Sequence, residues 1–160
     1  MPFCSNTILK RVFCAIALTT FFLLTQNTHA RIAIIVNKDN PINSATEQEI
    51  AALFLAKTNR LKTLSLKTID LMGVSEGTVA NKENNVDDIR NRFYKIISNK
   101  SPMQMKAYWS RLIFTGKGVP PVAVLTIEEV IDIVSDEPNY IGYIDENQVN
   151  DKIKVLITVH

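Results

Sequence analysis

The sequence predicts an α/β domain, a three-layer sandwich with helices on both faces of a mixed, mainly parallel sheet. Three observations carry that expectation. Apolar, β-branched runs at residues 32–36, 122–125, 140–144 and 153–159 read as strands. Segments with apolar residues at helical spacing lie between them. No repeat or low-complexity tract interrupts the alternation, and strands alternating with helices pack best as a sheet covered on both sides.

Residues 1–30 read as a cleaved export signal. Lys10 and Arg11 form a basic start, residues 12–24 are uncharged and apolar, and Thr28-His29-Ala30 places small residues where a signal peptidase cuts. The apolar run covers about 20 Å at 1.5 Å per residue, short of the ~30 Å hydrocarbon core, so no stable membrane insertion is expected after cleavage. The expected product, residues 31–160, is one domain, periplasmic or secreted. Cys4 and Cys14 are the chain's two cysteines. Both fall in the signal, which removes disulfides and Cys-ligated metals from consideration. Losing Lys10 and Arg11 also brings the formal charge of +2 to about zero, an unsuitable balance for a nucleic-acid partner.

Along the expected product, residues 32–36 form an unbroken apolar run, as in a strand buried on both faces. Asn40-Pro41 breaks it. Thr46 and Glu49 then make a capping box for a helix that buries Ile50, Leu53 and Phe54. Residues 64–72 alternate as a second strand, and residues 73–85 are polar, with Gly73 and Gly77, so a long loop is expected. Val86, Ile89, Phe93, Ile96 and Ile97 recur at helical spacing. Ser101-Pro102 starts another helix, with Met105, Tyr108, Trp109, Leu112 and Ile113 as its apolar stripe and Gly116 at its end. Thr126 and Glu129 form a second capping box, for a helix facing Ile127, Val130, Ile131 and Val134 inward. Residues 140–144 and 153–159 supply the last strands.

The search for chemistry returns mostly absences, and no enzyme, metal or cofactor is expected. His160 is the histidine left once the signal is gone, and a terminal residue makes a poor general base. Neighbouring acids such as Asp87-Asp88 and Glu128-Glu129 sit in first helical turns, where they complement the helix dipole. Gly116-Lys117-Gly118 lacks the spacing of a phosphate loop and follows a helix, so it reads as a C-terminal cap. Tyr108 and Trp109 read as core. The better anion candidate is the helix start near Asn85, with Ser75 and Thr78 as hydroxyl donors and Arg90 one turn in, opposed by the charges of Asp87 and Asp88.

The run Tyr108-Trp109-Ser110-Arg111-Leu112-Ile113-Phe114-Thr115-Gly116-Lys117-Gly118, Pro120-Pro121 behind it, and Ile141-Gly142-Tyr143 further on resemble small proteins grouped with phosphate transporter substrate-binding proteins. Val36-Asn37 and Leu53-Phe54-Leu55-Ala56-Lys57 add to the resemblance. It implies a lobe of the type II periplasmic binding-protein fold, a phosphate-like oxyanion as ligand, and an importer or membrane sensor as partner. Two departures stand out. Ala56 replaces a glycine usual in the family, and Val74-Ser75-Glu76-Gly77-Thr78 lacks the arginine of the family's anion-gripping signature. The alternative expectation is a domain of this fold that binds no solute and serves as an envelope interaction module.

Overall fold

Strand β1 (Ile32–Asn37) is buried along its whole length because both edges and both faces are covered. The computed structural model describes residues 31–72 and 86–160, so the expected signal and the segment 73–85 lie outside the described residues. β1 pairs antiparallel with β6 (Tyr140–Asp145) on one side and β7 (Ile153–Val159) on the other. Beyond β6 lie β4 (Lys67–Leu71) and then β5 (Val122–Val124), both in parallel pairings, giving the order β5-β4-β6-β1-β7. The sheet is therefore mixed, its parallel part confined to β5, β4 and β6.

Among the described residues, four α-helices cover it. α1 (Glu47–Phe54) begins with the expected box: the Thr46 hydroxyl accepts from the Glu49 N–H, and the Glu49 carboxylate accepts from the Thr46 N–H at 2.8 Å. The same reciprocal cap opens α4 (Ile127–Asp136) through Thr126 and Glu129. Ser101 and Gln104 do so for α3 (Pro102–Phe114), whose proline fills the first turn. α2 (Val86–Ser98) buries Val86, Ile89, Phe93, Tyr94 and Ile97.

Alternation along β6 decides which helices cover which face. Gly142 points toward α4, and a Cβ there would meet Val130 Cγ1 at 2.6 Å, so glycine is what lets the helix approach. Tyr143 points the other way, its ring stacked on Phe93 of α2 at 3.9 Å between centroids, with Phe54 of α1 edge-on to both. α3 buries Met105 and Trp109, Met105 meeting the Ser98 hydroxyl at the end of α2 at 3.6 Å, and the Tyr108 hydroxyl donates to the carbonyl of Leu55, just after α1, at 2.6 Å. These are the expected three layers.

The sheet is mixed as expected but not mainly parallel, because β1 pairs antiparallel with both β6 and β7. Two further details differ from the sequence expectation. Residues 60–65 form a small hairpin of β2 (Arg60–Leu61) and β3 (Leu64–Ser65) ahead of β4, instead of extending it. Ile113, expected on the inner stripe of α3, is 57% exposed.

Two helix ends, those of α1 and α3, follow one pattern. α3 closes with the Gly116 N–H on the Ile113 carbonyl and the Lys117 N–H on the Leu112 carbonyl, Gly116 taking φ 64°. This is the cap expected of Gly116-Lys117-Gly118. α1 closes with the same two bonds, Ala56 to Leu53 and Lys57 to Ala52, but here Ala56 takes φ 51°. A Cβ in the left-handed region costs roughly 1 kcal/mol. Ala56→Gly should therefore stabilise the fold by up to about 1 kcal/mol, read as a higher denaturant midpoint at unchanged slope.

Candidate functional site

In open α/β sheets, the crevice outside the carboxyl ends of parallel strands is where side chains and helix starts converge on a ligand. Here β4 ends at Leu71 and β5 at Val124, with the starts of α2 and α4 following them in the chain. The two sides of this edge differ in charge. On the α4 side, a groove of about 550 Å³ is lined by Met72, Val124, Leu125, Glu129, Asp132 and Ile133. Its two carboxylates make it a poor seat for an anion, and Glu129 is already committed to the cap of α4.

On the α2 side a cation, Arg90, is held by the buried Asp70, with Asp87 and Asp88 in the first turn of the same helix. Asp70, in β4, is 6% exposed. Its Oδ2 accepts from Arg90 Nε at 3.2 Å, from Arg90 Nη2 at 3.1 Å and from the Tyr94 hydroxyl at 3.0 Å. Its Oδ1 accepts from the Tyr143 hydroxyl, which itself accepts from the Leu71 N–H at 3.4 Å. Four donors around one carboxyl is the environment of a carboxylate. Burial nevertheless pushes the Asp70 carboxyl above its usual range, and the Arg90 charge and the three side chains' hydrogen bonds bring it only part of the way back. Burial is the largest influence on the Arg90 guanidinium and would lower it, but the charge of Asp70, the two tyrosines and the hydrogen bond to Asp70 together outweigh it and the value rises. Both tyrosines are pushed well above the ordinary phenol value, by burial first and then by the charge of Asp70, so they act as hydrogen-bond donors.

Arg90 is the exit from this cluster. Its guanidinium lies 5.1 Å from the centre of the Tyr94 ring, and its side chain keeps 22% of its surface exposed against 9% for Asp70. Nε and Nη2 both face Asp70, which leaves Nη1 without a partner among the described residues. The arrangement holds a cation rigid and presents one edge of it outward. Asp70 is buried and already accepts from four donors, and both phenols are held protonated, so the cluster presents a cation to solvent and not a base.

Of the residues expected at an anion site, Arg90 lies here, while Ser75, Thr78 and Asn85 fall outside the described residues. Asp87 and Asp88 are half-buried in the first turn of α2, and Asp88 pairs with Arg92 at 3.1 Å. Sequence reasoning missed Asp70, Tyr94 and Tyr143. The signal was there: an aspartate between Ile69 and Leu71 in a strand needs a donor, and Arg90 and Tyr94 are four apart on one helix face. Asn37 and Asn40, by contrast, are buried polar residues with structural work. Each donates its amide to a carbonyl at the end of α4, Ser135 and Pro138 respectively, tying down the loop after β1.

No protein-family model and no curated relative matches the chain. Solved structures do. A Clostridium perfringens protein described as a phosphate ABC transporter substrate-binding protein, with bound phosphate, is 20% identical with a TM-score of 0.56, matching 79% of this chain and 44% of its own. An ABC-type phosphate transport receptor from Vibrio cholerae is 12% identical with a TM-score of 0.54 over 79% and 45%. A Planctomyces limnophilus protein described as phosphate-binding is also 12% identical, with a TM-score of 0.53 over 79% and 40%. The likeness is one of fold, and the chain spans less than half the length of these neighbours.

Proposed function

We propose that this chain is a solute-binding module of the extracytoplasmic space whose ligand is phosphate or a related oxyanion, acting with an importer or a membrane sensor. The observation that carries the reading is Arg90, fixed by Asp70 and Tyr94 at the carboxyl end of β4 with Nη1 directed away from its partners. A cation held without rotamer freedom binds an anion without the ordering cost that a surface arginine incurs. Ser75, Thr78 and the amide end of α2 near Asn85 complete the proposed contacts as hydroxyl and backbone donors. The fold neighbours described as phosphate-binding support the same ligand class. Among the described residues no helix is long and apolar enough to cross a membrane.

Calorimetric titration with phosphate and sulfate tests this. Charge-assisted hydrogen bonds contribute about 1.5 to 3 kcal/mol, so Arg90→Ala should weaken binding about tenfold or more. Because that change also strips Asp70 of its partner, a second variant separates binding from folding. Asp87→Asn removes a like charge near the anion and should tighten binding. No heat at millimolar oxyanion, or two variants that bind as the unaltered chain does, would remove the proposed site. An interaction module is the second reading, and it is favoured by one observation, the exposure of Met103, Ile113, Phe114 and Val119 on and after α3.

A further inference from the structure

Helix α3 has two apolar sides, and only one of them packs. Met105 and Trp109 are buried and Leu112 is half-buried against the domain. On the opposite side Met103 is 81% and Phe114 92% exposed. Eleven residues at 100° each make three turns and about 20°, so these two lie on one line, about 16 Å apart along the axis. Ala107 and Ser110, both exposed and both small, fall on the line between them. Lys106 and Arg111 flank it at about 60° and 80° on either side, and both are exposed. Around the end of the helix the apolar surface continues through Ile113, 57% exposed, and Val119, 83% exposed, with Lys117 between them.

Charge is segregated to match. Every charged residue from 89 to 127 is Lys or Arg, and every charged residue from 118 to 151 is Asp or Glu. The first group includes all of α3, and the second includes α4, on the other face of the sheet. A helix with Phe and Met along one line, cations on both flanks and no carboxylate has the chemistry of one that lies in a lipid interface. Long cationic side chains there reach lipid phosphates while their stems cover apolar surface. A protein partner would be expected to meet a shaped depression with mixed charge. Here the side chains project singly from a convex helix of one sign.

We propose that the outer face of α3 docks on the surface of an anionic lipid bilayer, Met103 and Phe114 entering the headgroup boundary and Lys106, Arg111 and Lys117 pairing with lipid phosphates. This rests on residues away from Arg90, so its outcome is separate from that of the oxyanion titration. It is peripheral contact, compatible with the lack of a spanning helix among the described residues.

Co-sedimentation of the whole chain with vesicles tests it, comparing phosphatidylglycerol mixed into phosphatidylcholine with phosphatidylcholine alone. All variants keep the same first thirty residues, so any contribution from that segment is common to them. The unaltered chain should partition onto the anionic vesicles at least about tenfold better than onto neutral ones, and less as salt rises. Met103→Ser with Phe114→Ser should lower partitioning about tenfold or more, since both apolar side chains would leave the interface. Lys106→Glu with Arg111→Glu should lower it at least as much and remove the preference for anionic lipid. Because the altered residues are exposed, circular dichroism of both variants should match the unaltered chain. Equal partitioning onto both vesicle types, variants that bind as the unaltered chain does, or no vesicle binding alongside an acidic protein partner released by the same substitutions would overturn the proposal.

Discussion

Asp70→Asn should destabilise the domain by about 3 kcal/mol, read as a lower denaturant midpoint, although the two side chains are the same size. The carboxylate accepts from four donors at once, and asparagine offers one oxygen and an amide that must face either the Tyr143 hydroxyl or the Arg90 and Tyr94 group. Turned toward Arg90 the amide meets donors that cannot accept, turned toward Tyr143 it leaves that hydroxyl's proton without its acceptor, and either way Arg90 loses its counter-charge. Removing one partner of a buried ion pair typically costs about 3 to 5 kcal/mol. The lower end applies because Arg90 keeps 22% of its side-chain surface and can turn partly to water. Replacing both partners tests the origin of the loss. Asp70→Asn with Arg90→Met leaves no uncompensated charge, so its destabilisation should be smaller than the sum of the single changes by about 1 kcal/mol or more. Additive losses would mean that the pair is not what the aspartate contributes.

Parts of this molecule are legible in sequence for simple physical reasons. β1 is seen as a strand because a strand between covered faces has few polar positions to interrupt its β-branched run, whereas β7, an edge strand carrying Lys154 and Thr158, is seen by its β-branched content alone. The helix starts are legible because a capping box is local, its two partners three residues apart, as at Thr46 and Glu49. Gly116 is legible as an end for the same reason. The Asp70 cluster is not local. Its members are 20, 24 and 73 residues away from the aspartate and meet only after α2 has docked on β4 and β4 has paired with β6. Arg90 could be picked out as a cation near a helix start, but not as a cation whose charge is already shared with a buried carboxylate. Ile113 was misread because apolar residues occur all round the end of α3, and period alone does not say which side the core chooses. Contact through Met105 and Trp109 decides it.

Trp109→Ala should cost about 3 to 5 kcal/mol and leave oxyanion binding, scaled to the folded fraction, little changed. Trp109 is the one tryptophan of the chain and is 8% exposed. It lies on the inner side of α3, its ring edge-on to Tyr108 at 5.3 Å, and that helix has few other buried anchors. Truncation would therefore open a cavity and loosen α3 from α1 and α2 together. Trp109→Phe should be far milder, for a reason specific to this site. The indole N–H is buried and has no acceptor in hydrogen-bonding geometry among the described residues, although the Tyr94 hydroxyl feels it. Phenylalanine removes that unsatisfied donor, which offsets part of the lost ring volume and keeps the change below about 1.5 kcal/mol. Fluorescence of the unaltered chain checks the premise, since a buried indole emits toward the blue and resists quenching by iodide. A red-shifted, readily quenched emission would place the ring in water, and with it the face of α3 taken here as outward would have to become the packed one.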